Sequence, residues 1–135
     1  MIYLDSCLVI YLVEHHPRFT DYVRRVLAHH KEEVFAISAL VRLECLVGPR
    51  KAKDTAIEKN YIAALGQLRT VPLTEQVFDE AITLRATYGL RTPDSLHLAA
   101  AHAARCTALW TNDQRFHSAA LGFARSLEDL VADLD

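Results

Sequence analysis

The chain has 135 residues, of which 51% are hydrophobic and 24% are charged, and its net charge of −2 at pH 7 excludes a globally basic surface for nucleic acid. This length fits one domain, which we expect to span residues 1–135. Three scattered cysteines without a CxxC pattern argue against a zinc ribbon or a disulfide framework, so a reducing cytoplasm is the expected compartment. No apolar run reaches the length of a membrane span, and the N-terminus lacks the basic segment of a signal peptide.

Short apolar runs alternate with helical spacing of apolar residues along the first half of the chain. In chain order they predict a strand over 2–5, a helix from Ser6 through Val13, a helix that opens at Pro17, a strand over 34–37 and a helix from Ser38 to Val47. Gly48-Pro49 is expected to stop the last of these helices, because proline lacks the N–H that a helix interior requires.

The second half continues this alternation. It predicts a helix over 52–68, a strand over 70–73, a helix from Thr74 to Gly89, a helix capped by Thr92 that runs to about Ala104, a strand over 107–111, a helical turn in NDQRF, a strand over 123–127 and a final helix that Ser126 and Asp129 begin. Pro72 favours an edge position for strand 70–73. Strands that alternate with helices in this way predict an α/β fold, with helices on both faces of a parallel sheet.

Four acidic residues fall where such a fold would bring them together. Asp5 ends the first strand, Asp113 follows strand 107–111, Asp94 lies in the first turn of its helix, and Glu44 lies at the margin of an apolar helix face. Each acid also has an ordinary explanation as a helix cap, a turn residue or a solvated side chain. Ligands in α/β folds bind beyond the carboxyl ends of the strands, so we expect the four acids to converge on one pocket.

Clustered carboxylates repel one another, and a cation relieves this repulsion. Oxygen ligands suit Mg²⁺ or Mn²⁺, either of which would make an anionic pocket accept phosphate and would lower the pKa of a water molecule there. Histidines are not expected as metal ligands, because His97 and His102 are five residues apart rather than the four of HExxH. Cys7 has no obvious basic partner, which argues against a nucleophilic thiol.

Four phrases in the chain resemble a known family. They are YLDSCLVIYL, ISALVRLECLVG, RTPDSLHLAAA and LWTNDQRF, and in this order they resemble the PIN-domain ribonucleases, specifically the VapC-type toxins of prokaryotic toxin–antitoxin pairs. The resemblance covers nearly the whole chain. It implies a three-layer α/β/α fold with a central parallel sheet of about five strands, and endonuclease activity on RNA that depends on Mg²⁺ or Mn²⁺.

The resemblance also assigns roles to residues of this sequence. The catalytic, metal-binding acids would be Asp5, Glu44, Asp94 and Asp113, with Asp5 and Asp94 as the most direct ligands. Ser6, Ser38 and Asn112 match polar positions that line such pockets, although threonine is commoner at the position of Ser6. Family members are usually homodimers, and an antitoxin protein that wraps the groove and blocks the site is the partner that the resemblance implies.

Several alternatives stay open on the sequence alone. Either Asp94 or Asp113 is a candidate for orienting the attacking water, and Arg115 is a candidate RNA contact through phosphate. A non-catalytic PIN-like module that binds RNA or a protein partner is the main alternative function. A phosphotransferase or receiver domain also places acids at strand ends, but position 7 is a cysteine where a dehalogenase-like enzyme needs a second aspartate.

Overall fold

The computed structural model describes residues 1–116 and 119–135 and contains one parallel sheet. Its strands are β1 (Ile2–Leu4), β2 (Phe35–Ile37), β3 (Arg69–Thr70), β4 (Ala108–Trp110) and β5 (Ala124–Arg125). Their spatial order is β3-β2-β1-β4-β5, and every neighbouring pair is parallel. All three residues of β1 are buried, as expected for the central strand of a parallel sheet that is covered on both faces.

Seven α-helices connect or follow these strands within the described residues. They are α1 (Ser6–Val13), α2 (Phe19–His29), α3 (Ala39–Lys51), α4 (Thr55–Leu65), α5 (Glu75–Tyr88), α6 (Thr92–Ala103) and α7 (Leu127–Leu134). A 3₁₀ turn covers Gln114–Phe116. The chain moves one way across the sheet from β1 to β3 and the other way from β4 to β5, so right-handed connections place helices on opposite faces. The predicted α/β architecture with five parallel strands is therefore confirmed.

Helix α6 is the most deeply buried helix segment near the centre of the sheet. Every residue from 94 to 101 is buried, and the run Ala99-Ala100-Ala101 lets the helix approach its neighbours closely. Helix α5 packs along α6, and α6 in turn contacts β4. Because this burial includes Asp94, Ser95 and His97, these polar side chains need partners inside the protein.

Several predicted boundaries were wrong. Helix α3 does not stop at Gly48-Pro49 but continues to Lys51 with Pro49 inside it. A residue before proline normally clashes through its Cβ in helical conformation, but Gly48 has no Cβ, and the ring of Pro49 is buried. Helix α4 is shorter than the predicted 52–68, because Asp54 caps it by accepting a hydrogen bond from the backbone N–H of Ile57.

Other boundaries shift by one or a few residues. Strand β3 ends at Thr70, so Pro72 lies beyond it, and the predicted edge position is confirmed. Arg91 rather than Thr92 is the N-cap residue of α6, and the proline lies within the first turn. Within the described residues, no helix combines the length and the apolar character needed to cross a membrane.

Candidate metal centre

An open pocket of about 560 Å³ lies at the carboxyl ends of β1 and β4. Its lining includes Asp5, Ser6, Cys7, Tyr11, Glu44, Arg91, Asp94, Asn112, Asp113, Gln114 and Arg115. The chain leaves β1 toward β2 and leaves β4 toward β5, so these two adjacent strands form the switch point in strand order. The four acids that the sequence singled out thus line one pocket.

Asp5 is fixed in this pocket by hydrogen bonds from two sides. It is the N-cap residue of α1, where Oδ1 accepts a 2.8 Å hydrogen bond from the backbone N–H of Ser6. Its Oδ2 accepts a 2.7 Å hydrogen bond from the buried hydroxyl of Thr111. The same Thr111 oxygen accepts a 3.0 Å hydrogen bond from the backbone N–H of Asp113. Thr111 therefore links the acid that follows β1 to the acid that follows β4.

A buried chain of hydrogen bonds holds Glu44. His97 Nε2 lies 2.6 Å from Glu44 Oε1, and His97 Nδ1 lies 2.7 Å from the Tyr3 hydroxyl, which in turn lies 2.8 Å from Ser38 Oγ. Burial raises the pKa of Tyr3, so the phenol keeps its proton. Ser38 can then donate to Tyr3, Tyr3 can donate to Nδ1, and the N–H at Nε2 can donate to Glu44. We call Ser38, Tyr3, His97 and Glu44 the buried relay.

Three side chains of metal-ligand type come close together in the described part of the chain. One ligand atom each from Asp5, Glu44 and His97 lies within 4.8 Å of the others. His97 Nε2 is also 3.8 Å from Asp5 Oδ1, so a histidine lies directly beside these acids, although none was expected among the metal ligands. In the buried relay, however, Nε2 faces Glu44, which makes His97 a residue that positions a carboxylate.

The other two acids are held by arginines. Asp94 Oδ2 lies 3.2 Å from Arg91 Nε, and the two oxygens of Asp113 lie 2.9 and 3.0 Å from Arg115 Nε. Hydrogen bonds from Arg115, together with the nearby positive charge of Arg91, lower the pKa of Asp113 below its ordinary value. Asp94 is buried, whereas Asp113 is partly exposed. The two arginines therefore relieve part of the repulsion among the four carboxylates, which was expected to require a cation.

The predicted supporting residues have different positions. Ser6 and Asn112 line the pocket, and Asn112 Oδ1 also accepts a 3.1 Å hydrogen bond from the backbone N–H of Leu127 at the start of α7. Ser38 is fully buried and reaches the pocket only through the buried relay. Arg115 lines the pocket as expected, but it pairs with Asp113.

Sequence reasoning missed Tyr3, Arg91, His97 and Thr111. Arg91 and His97 each lie three residues from Asp94, a spacing that places side chains on the same side of a helix, so this signal was available. Tyr3 and Thr111 lie on or next to apolar strands, and the sequence gives no sign that their hydroxyls point at other polar groups. Cys7 lines the pocket, but burial raises the pKa of its thiol to about 12, in agreement with the expectation that it is not a nucleophile.

Comparisons with known proteins agree with this fold. A family model described as the PIN domain matches residues 2–121. The chain is structurally similar to a toxin-antitoxin complex from Klebsiella pneumoniae (TM-score 0.78, 22% identity, 94% of this chain and 98% of that one). It is also similar to VapBC2 from Rickettsia felis, which was crystallised with a DNA fragment from its promoter (TM-score 0.79, 22% identity, 93% and 98%).

A third similar structure is FitAcB from Neisseria gonorrhoeae (TM-score 0.78, 21% identity, 95% of this chain and 99% of that one). At such identities the structural similarity shows a shared fold. No curated protein sequence matches the chain significantly. The match of the family model extends over most of the chain and contains all four pocket acids. The chain belongs to the PIN-domain family.

Proposed function

We propose that the chain is an endoribonuclease that hydrolyses RNA phosphodiester bonds with Mg²⁺ or Mn²⁺, and that it is the toxin of a type II toxin–antitoxin pair. The observation that carries this proposal is the convergence of Asp5, Glu44, Asp94 and Asp113 on one open pocket of about 560 Å³ at the strand ends. Four carboxylates around an accessible pocket suit an enzyme that holds a hard cation against an anionic substrate.

The donor set fits such a cation. Carboxylate oxygens of Asp5 and Glu44 come within 4.8 Å of each other, and those of Asp94 and Asp113 line the same pocket. Oxygen donors are the ligands that Mg²⁺ and Mn²⁺ prefer. When bound, a divalent cation supplies stabilisation of negative charge on the phosphate and lowers the pKa of water.

The protein's own residues prepare the pocket for this chemistry. Thr111 and the backbone N–H of Ser6 fix both oxygens of Asp5, and the buried relay fixes Glu44 through His97. Carboxylates that are held before the substrate arrives need not be reorganised during the reaction. We propose that Asp5 and Glu44 hold the cation together with Asp94, and that Asp94 or Asp113 orients the attacking water.

The proposed partners are supported by what similar structures contain. Similar structures come from toxin-antitoxin complexes, two of which were crystallised with DNA. We propose that a cognate antitoxin covers the pocket of this chain, that the chain forms a homodimer, and that a single-stranded or loop segment of RNA is the substrate. A pocket open to solvent admits a flexible strand more readily than a stacked duplex.

The decisive experiment is cleavage-site mapping on total RNA with the full chain, with and without Mg²⁺. Asp94→Asn should keep the fold and lose metal-dependent cleavage, because the substitution removes one pocket charge with almost no change in shape. The matched control is Asp21→Asn, since Asp21 is an exposed acid on α2. Full cleavage by Asp94→Asn would refute the assignment. RNA binding without any cleavage by the wild-type chain would favour the non-catalytic module.

A further inference from the structure

Two arginines reach the acidic pocket from different elements. Arg91 comes from the N-terminus of α6, and Arg115 comes from the 3₁₀ turn. Besides its contact with Asp94, Arg91 places Nη2 3.9 Å from Asp113 Oδ2, and Arg115 places Nε 4.0 Å from Asp94 Oδ2. Each guanidinium therefore faces both of these acids, and the four side chains form one cluster of alternating charge.

The arginines divide the pocket into two halves. In one half, Asp5 is held by uncharged donors and Glu44 by His97. In the other half, Asp94 and Asp113 are held by the two guanidiniums. Four carboxylates and two guanidiniums leave the lining with a formal charge of −2, which is opposite to that of one divalent cation.

In the arginine half of the pocket, the ion pairs between the guanidiniums and the two acids can be replaced by other contacts. The side chains of Arg91 and Arg115 are 57% and 54% exposed, so solvent reaches the guanidinium of each ion pair, although Asp94 itself is buried. Exposed ion pairs contribute little net free energy, because water and salt screen them. A divalent cation beside Asp94 or Asp113 would repel both guanidiniums, whose exposed side chains could then turn further toward solvent. There they would present planar donor groups whose geometry matches a phosphate.

We propose that Arg91 and Arg115 are counter-ions that a divalent cation displaces from Asp94 and Asp113, and that the displaced guanidiniums then bind phosphates of the RNA. The first half of this proposal concerns cation binding alone, and the second half rests on the proposed function. Before a cation binds, the two arginines hold the acids together. After it binds, the displaced guanidiniums give the pocket a positively charged rim. Arg91 and Arg115 would then be substrate-positioning residues.

Isothermal titration of the full chain with Mn²⁺ tests the exchange directly. Arg91→Gln and Arg115→Gln should each bind Mn²⁺ about three- to tenfold more tightly than the wild type, because a competing positive charge within a few ångströms has been removed. Arg115→Lys keeps the charge and should stay close to the wild type. Arg25→Gln is the matched control, since Arg25 pairs with Asp135 at the exposed C-terminus. Unchanged or weaker Mn²⁺ binding in both glutamine variants would overturn the exchange.

Fluorescence anisotropy tests the phosphate contacts with a labelled mixed-sequence 12-nucleotide RNA whose phosphorothioate linkages keep the backbone charge and resist cleavage, and a denaturing gel confirms that the probe stays intact. Mn²⁺ should tighten RNA binding by the wild type, and the Arg91→Gln/Arg115→Gln double variant should lose this gain and show a shallower salt dependence. Arg115→Lys should lose part of the gain although it keeps the charge, because lysine cannot form the paired contact.

The two assays separate failure of the inference from failure of the proposed function. Tighter Mn²⁺ binding by the glutamine variants supports the exchange even if the wild-type chain leaves RNA intact. An equal gain in RNA affinity in the wild type and the double variant would overturn the phosphate contacts even if RNA cleavage is strong. Far-ultraviolet circular dichroism should show the same helix content for all variants, since both arginines are more than half exposed.

Discussion

Removal of the Tyr3 hydroxyl would isolate two buried polar groups. In Tyr3→Phe the ring remains, but Ser38 Oγ and His97 Nδ1 lose their partner at 2.8 and 2.7 Å. Ser38 is 0% and His97 is 1% exposed, so water does not replace the lost hydroxyl. Each buried polar group that loses its hydrogen bond lowers the free energy of unfolding by about 1–3 kcal/mol. Part of this loss is offset because the variant no longer has to bury the Tyr3 hydroxyl. We expect the free energy of unfolding to fall by about 2–3 kcal/mol.

Urea denaturation at pH 7 measures this loss. The midpoint should fall while the slope of free energy against urea stays unchanged, because the exposed area of the unfolded chain does not change. Tyr88→Phe is the matched control, since the Tyr88 side chain is 47% exposed, and its effect should stay within about 0.5 kcal/mol. A change equally small in Tyr3→Phe would refute the hydrogen bonds of the Tyr3 hydroxyl to Ser38 and His97, and with them the buried relay as a continuous chain.

A double-mutant cycle shows whether the two hydroxyls act together. Ser38→Ala alone leaves the Tyr3 hydroxyl bonded to His97, whereas Tyr3→Phe leaves Ser38 unbonded. In the double variant neither member of the Tyr3–Ser38 bond remains, so the combined loss should be smaller than the sum of the single losses by at least about 0.5 kcal/mol. Strict additivity would mean that this hydrogen bond is not formed in solution.

Three further predictions test other features. Arg115 lowers the pKa of Asp113 in the folded chain below its value in the unfolded chain. The free energy that ionised Asp113 contributes to folding is therefore complete above the unfolded-state pKa of Asp113, and it is lost as the pH falls through the lower folded-state pKa. The difference in unfolding free energy between the wild type and Asp113→Asn should therefore shrink as the pH falls from 6 to below about 3.8; a constant difference would contradict the ion pair. Iodoacetamide at pH 8 should modify native Cys7 at least about 100-fold more slowly than the urea-unfolded chain, as peptide mass mapping would show, because burial raises the thiol pKa to about 12. Gly89→Ala should lower the unfolding free energy by about 1 kcal/mol in thermal melts, since residue 89 ends α5 at φ +70° with open space around a Cβ, and an unchanged melt would contradict this conformation.

Much of the fold was predictable because its signals are local. Buried parallel strands appear as short apolar runs, and helix caps such as Thr74 and Ser126 act on backbone N–H groups three residues away. The predictions failed where a tertiary effect outweighs a local rule. Pro49 usually ends a helix, but its burial and the missing Cβ of Gly48 allow α3 to continue.

The candidate site was predictable only in part. Asp5 and Asp113 follow strands, so the topology of a parallel sheet brings them to one edge without any knowledge of side-chain contacts. The contact between His97 and Glu44 spans 53 positions of the sequence, and a rule based on spacing within one helix does not detect it. The supporting role of His97 was missed for this reason, since HExxH describes two histidines on one helix rather than one histidine that supports a carboxylate on another.

The two halves of the pocket solve the problem of crowded acids in different ways. Asp5 and Glu44 are fixed by buried or backbone donors, and such hydrogen bonds are only weakly screened by salt. Asp94 and Asp113 are neutralised by exposed guanidiniums that salt or a cation can displace. In a pocket with four fixed acids and no arginines, the repulsion among the carboxylates would destabilise the folded chain whenever no cation was bound. Exchangeable arginines on one side let the protein fold without a cation and still present carboxylates when a cation arrives.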